Sequence, residues 1–219
     1  MKNLIRCVKL ICLFLVVLFA SCKKDKAVNV DIMQRYIAGK FTFQNGSQLP
    51  FALIPVSATK AIFVWVNEKR EVAYTFENNR FTTSINGSEF SCDMIDGQLT
   101  NITVESTTLG IPVASLNKKV DATTALAGKQ FEAPTINLNT GGVVHQNYYF
   151  KFNSDPSQLN YTSNPKPGNF IITTKTYEKL TDGCFYNGVT KVFGVVLNNK
   201  LEVEAKIGDD YVLFSGTQL

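Results

Sequence analysis

Two stretches of this chain, 71–105 and 192–217, are built from one repeated device: a run of six or seven residues, a turn of two or three, and another run. The turns include Asn78-Asn79, Asp96-Gly97-Gln98, Asn198-Asn199 and Gly208-Asp209-Asp210. Asn and Asp tolerate a left-handed backbone and Gly favours it, which is what tight hairpins demand. Parallel strands need crossovers of a dozen or more residues, so turns this short leave only antiparallel pairing. Leu201–Ile207 shows the pleat most plainly, with Leu201, Val203, Ala205 and Ile207 alternating with Glu202, Glu204 and Lys206. Lys60–Val66, Asn147–Phe152 and Phe170–Tyr177 read as further strands. Only 28–38 has helical spacing, with Val30, Met33, Tyr36 and Ile37 on one face, Asp31 near the start and Gly39 as the stop. The expected fold is mainly β, an antiparallel barrel or sandwich led by one short N-terminal helix.

The segment 107–124 carries Gly, Pro, Ser and a charged stretch, and reads as a linker. Tyr36-Ile-Ala-Gly-Lys-Phe41 before it is echoed by Leu126-Ala-Gly-Lys-Gln-Phe131 after it. Tyr74–Phe76 is likewise echoed by Tyr149–Phe152, and Leu99–Glu105 by Leu201–Ile207, though at unequal offsets. The division favoured is two similar β subdomains, 29–106 and 125–219. A single large barrel or sandwich is the other arrangement the pattern allows.

The N-terminus is of another kind. Lys2, Arg6 and Lys9 precede an apolar run of eleven residues, Leu10–Ala20. A helix needs about 20 apolar residues to cross a bilayer, so this run fits a secretory signal peptide better than a membrane span. Phe19-Ala20-Ser21-Cys22 resembles the lipobox of bacterial outer-membrane lipoproteins, with Phe19 where Leu is usual. The resemblance implies a signal peptide at 1–21, removed before Cys22, and acylation of Cys22 on both its thiol and its new amino group. It also implies an acylated tether at 22–28. Lys23-Lys24-Asp25-Lys26 is similar to the charged tether of surface lipoproteins in the Bacteroidota, and Lys23 stands where inner-membrane retention uses Asp. The expected location is the outer membrane, on its periplasmic or cell-surface face. A short helix, Gly39-Lys40-Phe41 and a meander are similar to the opening of a lipocalin-like barrel, with Phe41 where that family carries Trp. That resemblance implies eight strands around one small ligand.

Residues 1–21 hold three of the 22 basic residues, so the remainder has 19 against 18 acidic ones. This balance gives no electrostatic case for nucleic acid or an anionic surface. Of five cysteines, Cys7 and Cys12 leave with the signal and Cys22 is taken by acylation. Cys92 and Cys184 are left, either as a disulfide closing a loop of about 90 residues or as two separate buried side chains. His145 is the one histidine and no Cys-x-x-Cys occurs, so neither a metal site nor a cofactor is assigned.

Hydrolysis would need His145 as base, yet no Gly-x-Ser-x-Gly elbow accompanies it. Asp93 with Asp96, Glu202 with Glu204, and Asp209-Asp210 read as solvated strand faces and turns rather than acid–base pairs. No catalytic residue is assigned. The aromatics, 16 Phe, 8 Tyr and 1 Trp, say more. Tyr148-Tyr149-Phe150 places rings on both faces of one strand, and Trp65 shares a face with Phe63. Such rings are either core or the anchors of a contact surface, which makes Trp65, Tyr148 and Tyr149 the candidate binding residues. The function these features favour is a non-enzymatic, lipid-anchored module that binds a small apolar ligand, a glycan or a protein. An envelope-polymer hydrolase and an immunity-type or structural lipoprotein are the alternatives.

Overall fold

The structure, a computed structural model, describes residues 30–219 apart from 44–45, 107–108, 111, 122–124, 156, 164–174 and 208. The signal peptide, Cys22 and its tether therefore lie outside the described residues, as does most of 163–174. What is described is almost entirely antiparallel β. The first sheet comprises β1 (Arg35–Thr42), β2 (Gln48–Pro55), β3 (Lys60–Trp65), β4 (Glu68–Glu77), β5 (Arg80–Ile85), β6 (Ser88–Ile95), β7 (Gln98–Glu105) and β8 (Val113–Lys118). Strands β1 to β7 follow one another side by side, and β8 returns to pair with β1. Asn78, Asn79, Asn86, Gly87, Asp96 and Gly97 all take positive φ at the hairpins, as their side chains permit. The ends of the sheet, β7 and β8, approach each other, so the sheet curls into a nearly closed barrel. Its interior is filled by aromatic side chains: Phe41 stacks on Phe51 at 4.0 Å, Tyr74 on Phe81 at 4.8 Å, and Phe90 meets Phe51 and Phe81 edge-on.

The second sheet comprises β9 (Gln130–Asn137), β10 (Val143–Phe152), β11 (Gln158–Thr162), β12 (Lys175–Thr176), β13 (Glu178–Thr181), β14 (Cys184–Asn187), β15 (Val192–Leu197), β16 (Lys200–Ile207) and β17 (Asp210–Gln218). Its neighbour order is sequential throughout, with β17 pairing back onto β9. Strands β12 and β13 are two halves of one path kinked at Tyr177, the first half paired with β11 and the second with β14. The kink is tied by the Tyr177 N–H donating to Ser157 O at 2.9 Å and by Asn187 Nδ2 donating to Thr176 O at 2.7 Å. Counted along that path, each unit is an eight-stranded up-and-down barrel. Gly194 faces the second interior, where a Cβ would stand 2.2 Å from Cε1 of Phe185.

Three expectations need correction. Within the described residues 30–38, the helix expected over 28–38 is one 3-10 turn, Ile32–Gln34, in which the Asp31 carboxylate accepts from the Met33 N–H at 3.0 Å. The chain then enters β1. Ile37 and Phe41 point into the barrel while Tyr36 and Ala38 lie against the other unit, and apolar residues on both faces erase the two-residue alternation. Second, the stretch 107–124 supplies β8, a full member of the first sheet, and so is not simply a linker. Third, two of the internal echoes do not mark equivalent places, while the last, Leu99–Glu105 with Leu201–Ile207, joins the seventh strand of each barrel. Gly39 sits within β1 whereas Gly128 is in the turn before β9, and Tyr74 is in a fourth strand whereas Tyr149 is in a second.

The two barrels pack outer face against outer face. Tyr36, Ala38, Ala52, Ile54, Val64 and Val66 of the first meet Cys184, Tyr186, Phe193, Val195 and Leu197 of the second in one buried cluster. Polar pairs frame it. Lys40 Nζ donates to Glu202 Oε1 at 3.0 Å, an oxygen that also accepts from Ser215 Oγ at 2.8 Å. Tyr211 OH donates to Asn67 Oδ1 at 2.5 Å, and Lys69 pairs with Glu178. Lys119 donates to the Pro55 carbonyl, and its own carbonyl accepts from the Asp182 N–H, so the connection between barrels is stapled to both.

Glu204 departs from its expected place on a solvated face. It stands between Phe193 and Leu213 in the ladder, is 2 % exposed, and its Oε2 has no hydrogen-bond partner among the described residues. Burial pushes its carboxyl from an ordinary 4.5 up to about 8, so it is neutral near pH 7. The folded chain thus holds this proton more tightly than the unfolded chain does. The stability so contributed is complete below pH 4.5 and is lost as the pH climbs to about 8. In urea titrations Glu204→Gln should flatten the decline across that window, by roughly 2–4 kcal/mol relative to the parent. Parallel pH profiles for the two proteins would contradict the burial of a neutral carboxyl. Gly194→Ala should in turn cost about 1–3 kcal/mol by overpacking, read as a lowered Tm; an unchanged Tm would mean that Phe185 can move aside.

Candidate functional site

The row Val192–Ala205–Val212 crosses three neighbouring strands at one end of the second barrel. These are small side chains, whereas the next layers down are filled by Phe150, Phe214, Phe152, Phe185 and Phe131. The difference in side-chain size leaves an open pocket of about 60 Å³ at this mouth. Phe150, Phe214 and Val203 line it below, and Thr135, Tyr148, Tyr161 and Thr190 are the hydroxyl-bearing residues of its lining. Lys206 also borders the rim, but its ammonium lies over the outer-facing Tyr211 ring, 5.9 Å from the centroid. Tyr148 and Tyr161 stack at 6.1 Å, and burial, with the neighbouring Tyr161 phenol adding, raises the Tyr148 phenol well above its ordinary value. The pocket therefore sets hydroxyl-bearing side chains beside apolar walls. Drug-sized ligand sites occupy roughly 300–1,000 Å³, so this one suits a group of a few heavy atoms.

The loops around the mouth carry exposed apolar side chains. Val189, in the turn between β14 and β15, is 94 % exposed, and Val143 and Val144 at the start of β10 are about half exposed. Isolated exposed valines are ordinary; these three lie on the turns and strand start at the same end of the barrel as the pocket.

Of the residues expected to bind, the structure brings only Tyr148 to this site. Tyr149 faces outward and donates its hydroxyl to Glu132 Oε1 at 2.6 Å, which makes it a cross-strand pair. Trp65 lies in the other barrel, packed on Phe43 and Phe63, with its Nε1 buried and unpaired among the described residues. His145 is near the mouth: its ring stacks on Tyr148 at 5.4 Å and its backbone N–H donates to Thr135 Oγ1. Among the described residues no serine, cysteine or carboxylate hydrogen-bonds that imidazole. Tyr161, Ala205 and Val189 were not legible as site residues, since a small residue at a barrel mouth matters only once the strands are placed in register.

The other candidates disperse. Asp93 accepts from Asn101 at 2.7 Å and from Arg80 at 2.9 Å, which hold its carboxyl below the ordinary range, and Asp96 occupies a hairpin turn. No group of three His, Cys, Asp or Glu among the described residues could hold a metal ion. Cys92 and Cys184 do not form the bridge weighed for them. Cys92 faces the first interior and Cys184 the cluster between barrels, and both are free and buried. Burial pushes the Cys92 thiol up to about 12 and that of Cys184 higher still. Comparison with protein-family models, curated proteins and solved structures finds no match to this chain in any of the three.

Both thiols should resist alkylation in the native protein and react on denaturation. Intact-mass analysis after a brief iodoacetamide pulse checks this, and a native adduct at either cysteine would show that its surroundings open.

Proposed function

We propose that this chain is a lipid-anchored, non-enzymatic recognition module of the outer membrane, whose second barrel seats a short apolar side chain of a protein partner in its mouth. The observation that carries the reading is the combination of a pocket of about 60 Å³ with exposed valines around it. A small ligand needs a cavity that engulfs it, whereas a protein partner needs a broad rim and one anchoring pocket. The hydroxyls of Tyr148, Tyr161, Thr135 and Thr190 meet the backbone or polar edge of whatever is seated. Lys23 to Asn29 link the body to the anchor at Cys22, where two or more acyl chains give stable attachment.

Peptides selected from a displayed random library against the acylated protein should share one Val, Ile or Leu. Ala205→Leu, which fills the pocket with the barrel intact by circular dichroism, should weaken them roughly tenfold or more. Absence of a shared apolar residue, or undiminished binding by Ala205→Leu, would overturn the pocket as the anchor. A small molecule retained in the native mass spectrum of both proteins would do the same.

A further inference from the structure

We propose that the end of the first barrel at which β1 begins is a membrane-contact surface, seated on the lipid leaflet that holds the anchor. The inference rests on the reading of Cys22 as acylated. Three exposed large apolar side chains lie on the turns that close this end: Val56 at 44 %, Ile95 at 50 % and Val120 at 81 %. They belong to one rim. Val120 lines a single hollow with Val30, Asp96 and Gly97, next to Ile95, and Lys119 beside it is tied to the Pro55 carbonyl, next to Val56.

What covers this rim follows from the chain that leads to it. Seven residues separate Cys22 from Val30, so Val30 stands no more than about 28 Å along the chain from the acylated residue. A fold of this length has a radius of gyration of about 16 Å, so the tether is shorter than the body is wide. The end from which it emerges is therefore held close to the leaflet. Apolar side chains on turn tips are suited to the boundary between headgroups and acyl chains, where they lose contact with water. Arg35 and Lys118 are balanced on the same hollow by Asp31 and Asp96, which fits zwitterionic headgroups and a contact that is apolar rather than electrostatic. The mouth of the second barrel is placed elsewhere: Tyr211 beside it touches Asn67, in the β3–β4 turn at the opposite end of the first barrel.

The test places a nitroxide at Val120→Cys or, separately, at Val189→Cys, in the acylated protein reconstituted into vesicles of phosphatidylethanolamine and phosphatidylglycerol in equal parts. Native Cys92 and Cys184 are fully buried and take no label. Collisions with oxygen relative to a water-soluble nickel complex should be roughly tenfold more frequent for the label at 120 than for that at 189. Val56→Ser with Ile95→Ser should bring the label at 120 back toward the aqueous value. Equal aqueous accessibility at the two positions would overturn the proposal. So would spin–spin broadening at 120, which would show a second copy of the chain on this rim. Mass spectrometry reads the acylation separately. If no acyl groups are found, coupling a lipid maleimide to the Cys22 thiol, with the nitroxide carried instead by a genetically encoded non-cysteine residue at 120 or 189, restores the tether and leaves the same accessibility comparison to decide the docking.

Discussion

An eight-stranded barrel has one interior and one exterior, and here part of the exterior is as apolar as the interior. Strands β1 to β3 carry Ile37, Phe51 and Phe63 inward but Tyr36, Ala52, Ile54 and Val64 outward. Fully burying a side chain of this size is worth about 1.5–3 kcal/mol, and leaving such a face in water would forfeit that at every position. The second barrel covers it with the outer faces of β14 and β15. The molecule is thus two barrels that complete each other, with ion pairs such as Lys40–Glu202 adding register at the margin more than energy.

The same contact explains what could and could not be read from the sequence. Hairpins were legible wherever the outward side chains of a strand are mostly polar: β4 to β7 and β17 lie close to the runs between Asn, Asp and Gly turns, and so does β16, whose alternation persists although Glu202 and Glu204 are buried. Strand β1 was not, because burial on both faces leaves no alternation and a residue spacing that imitates a helix. Strand β8 hid in a stretch whose Gly, Pro and Ser look like a connection, though Ala114 and Leu116 pair with Gly39 and Ile37. Glu204 shows the limit on the polar side. Its alternation with Val203 and Ala205 was correctly seen, yet alternation says which face a residue is on and not what stands opposite that face.

At the candidate site the legible part was a single ring. Tyr148 was visible as an aromatic with no assigned partner, but a pocket is made by residues that are absent in bulk, and absence has no signal in one strand. Val192, Ala205 and Val212 come together only through cross-strand register. The pocket is the consequence of a size gradient down one barrel, from alanine and valine at the mouth to phenylalanine below. The first barrel shows the contrasting case, with stacked rings filling its interior.

The position of β1 also has a mechanical meaning. It is the first strand the chain enters, and it is paired along its length with β2 on one side and β8 on the other. Antiparallel hydrogen bonds run perpendicular to the strands. A pull applied at the N-terminus along β1 therefore loads those bonds together, in shear, and cannot peel them away one after another as it would at an edge strand. A body held by its N-terminus is thereby gripped at a strand paired on both sides.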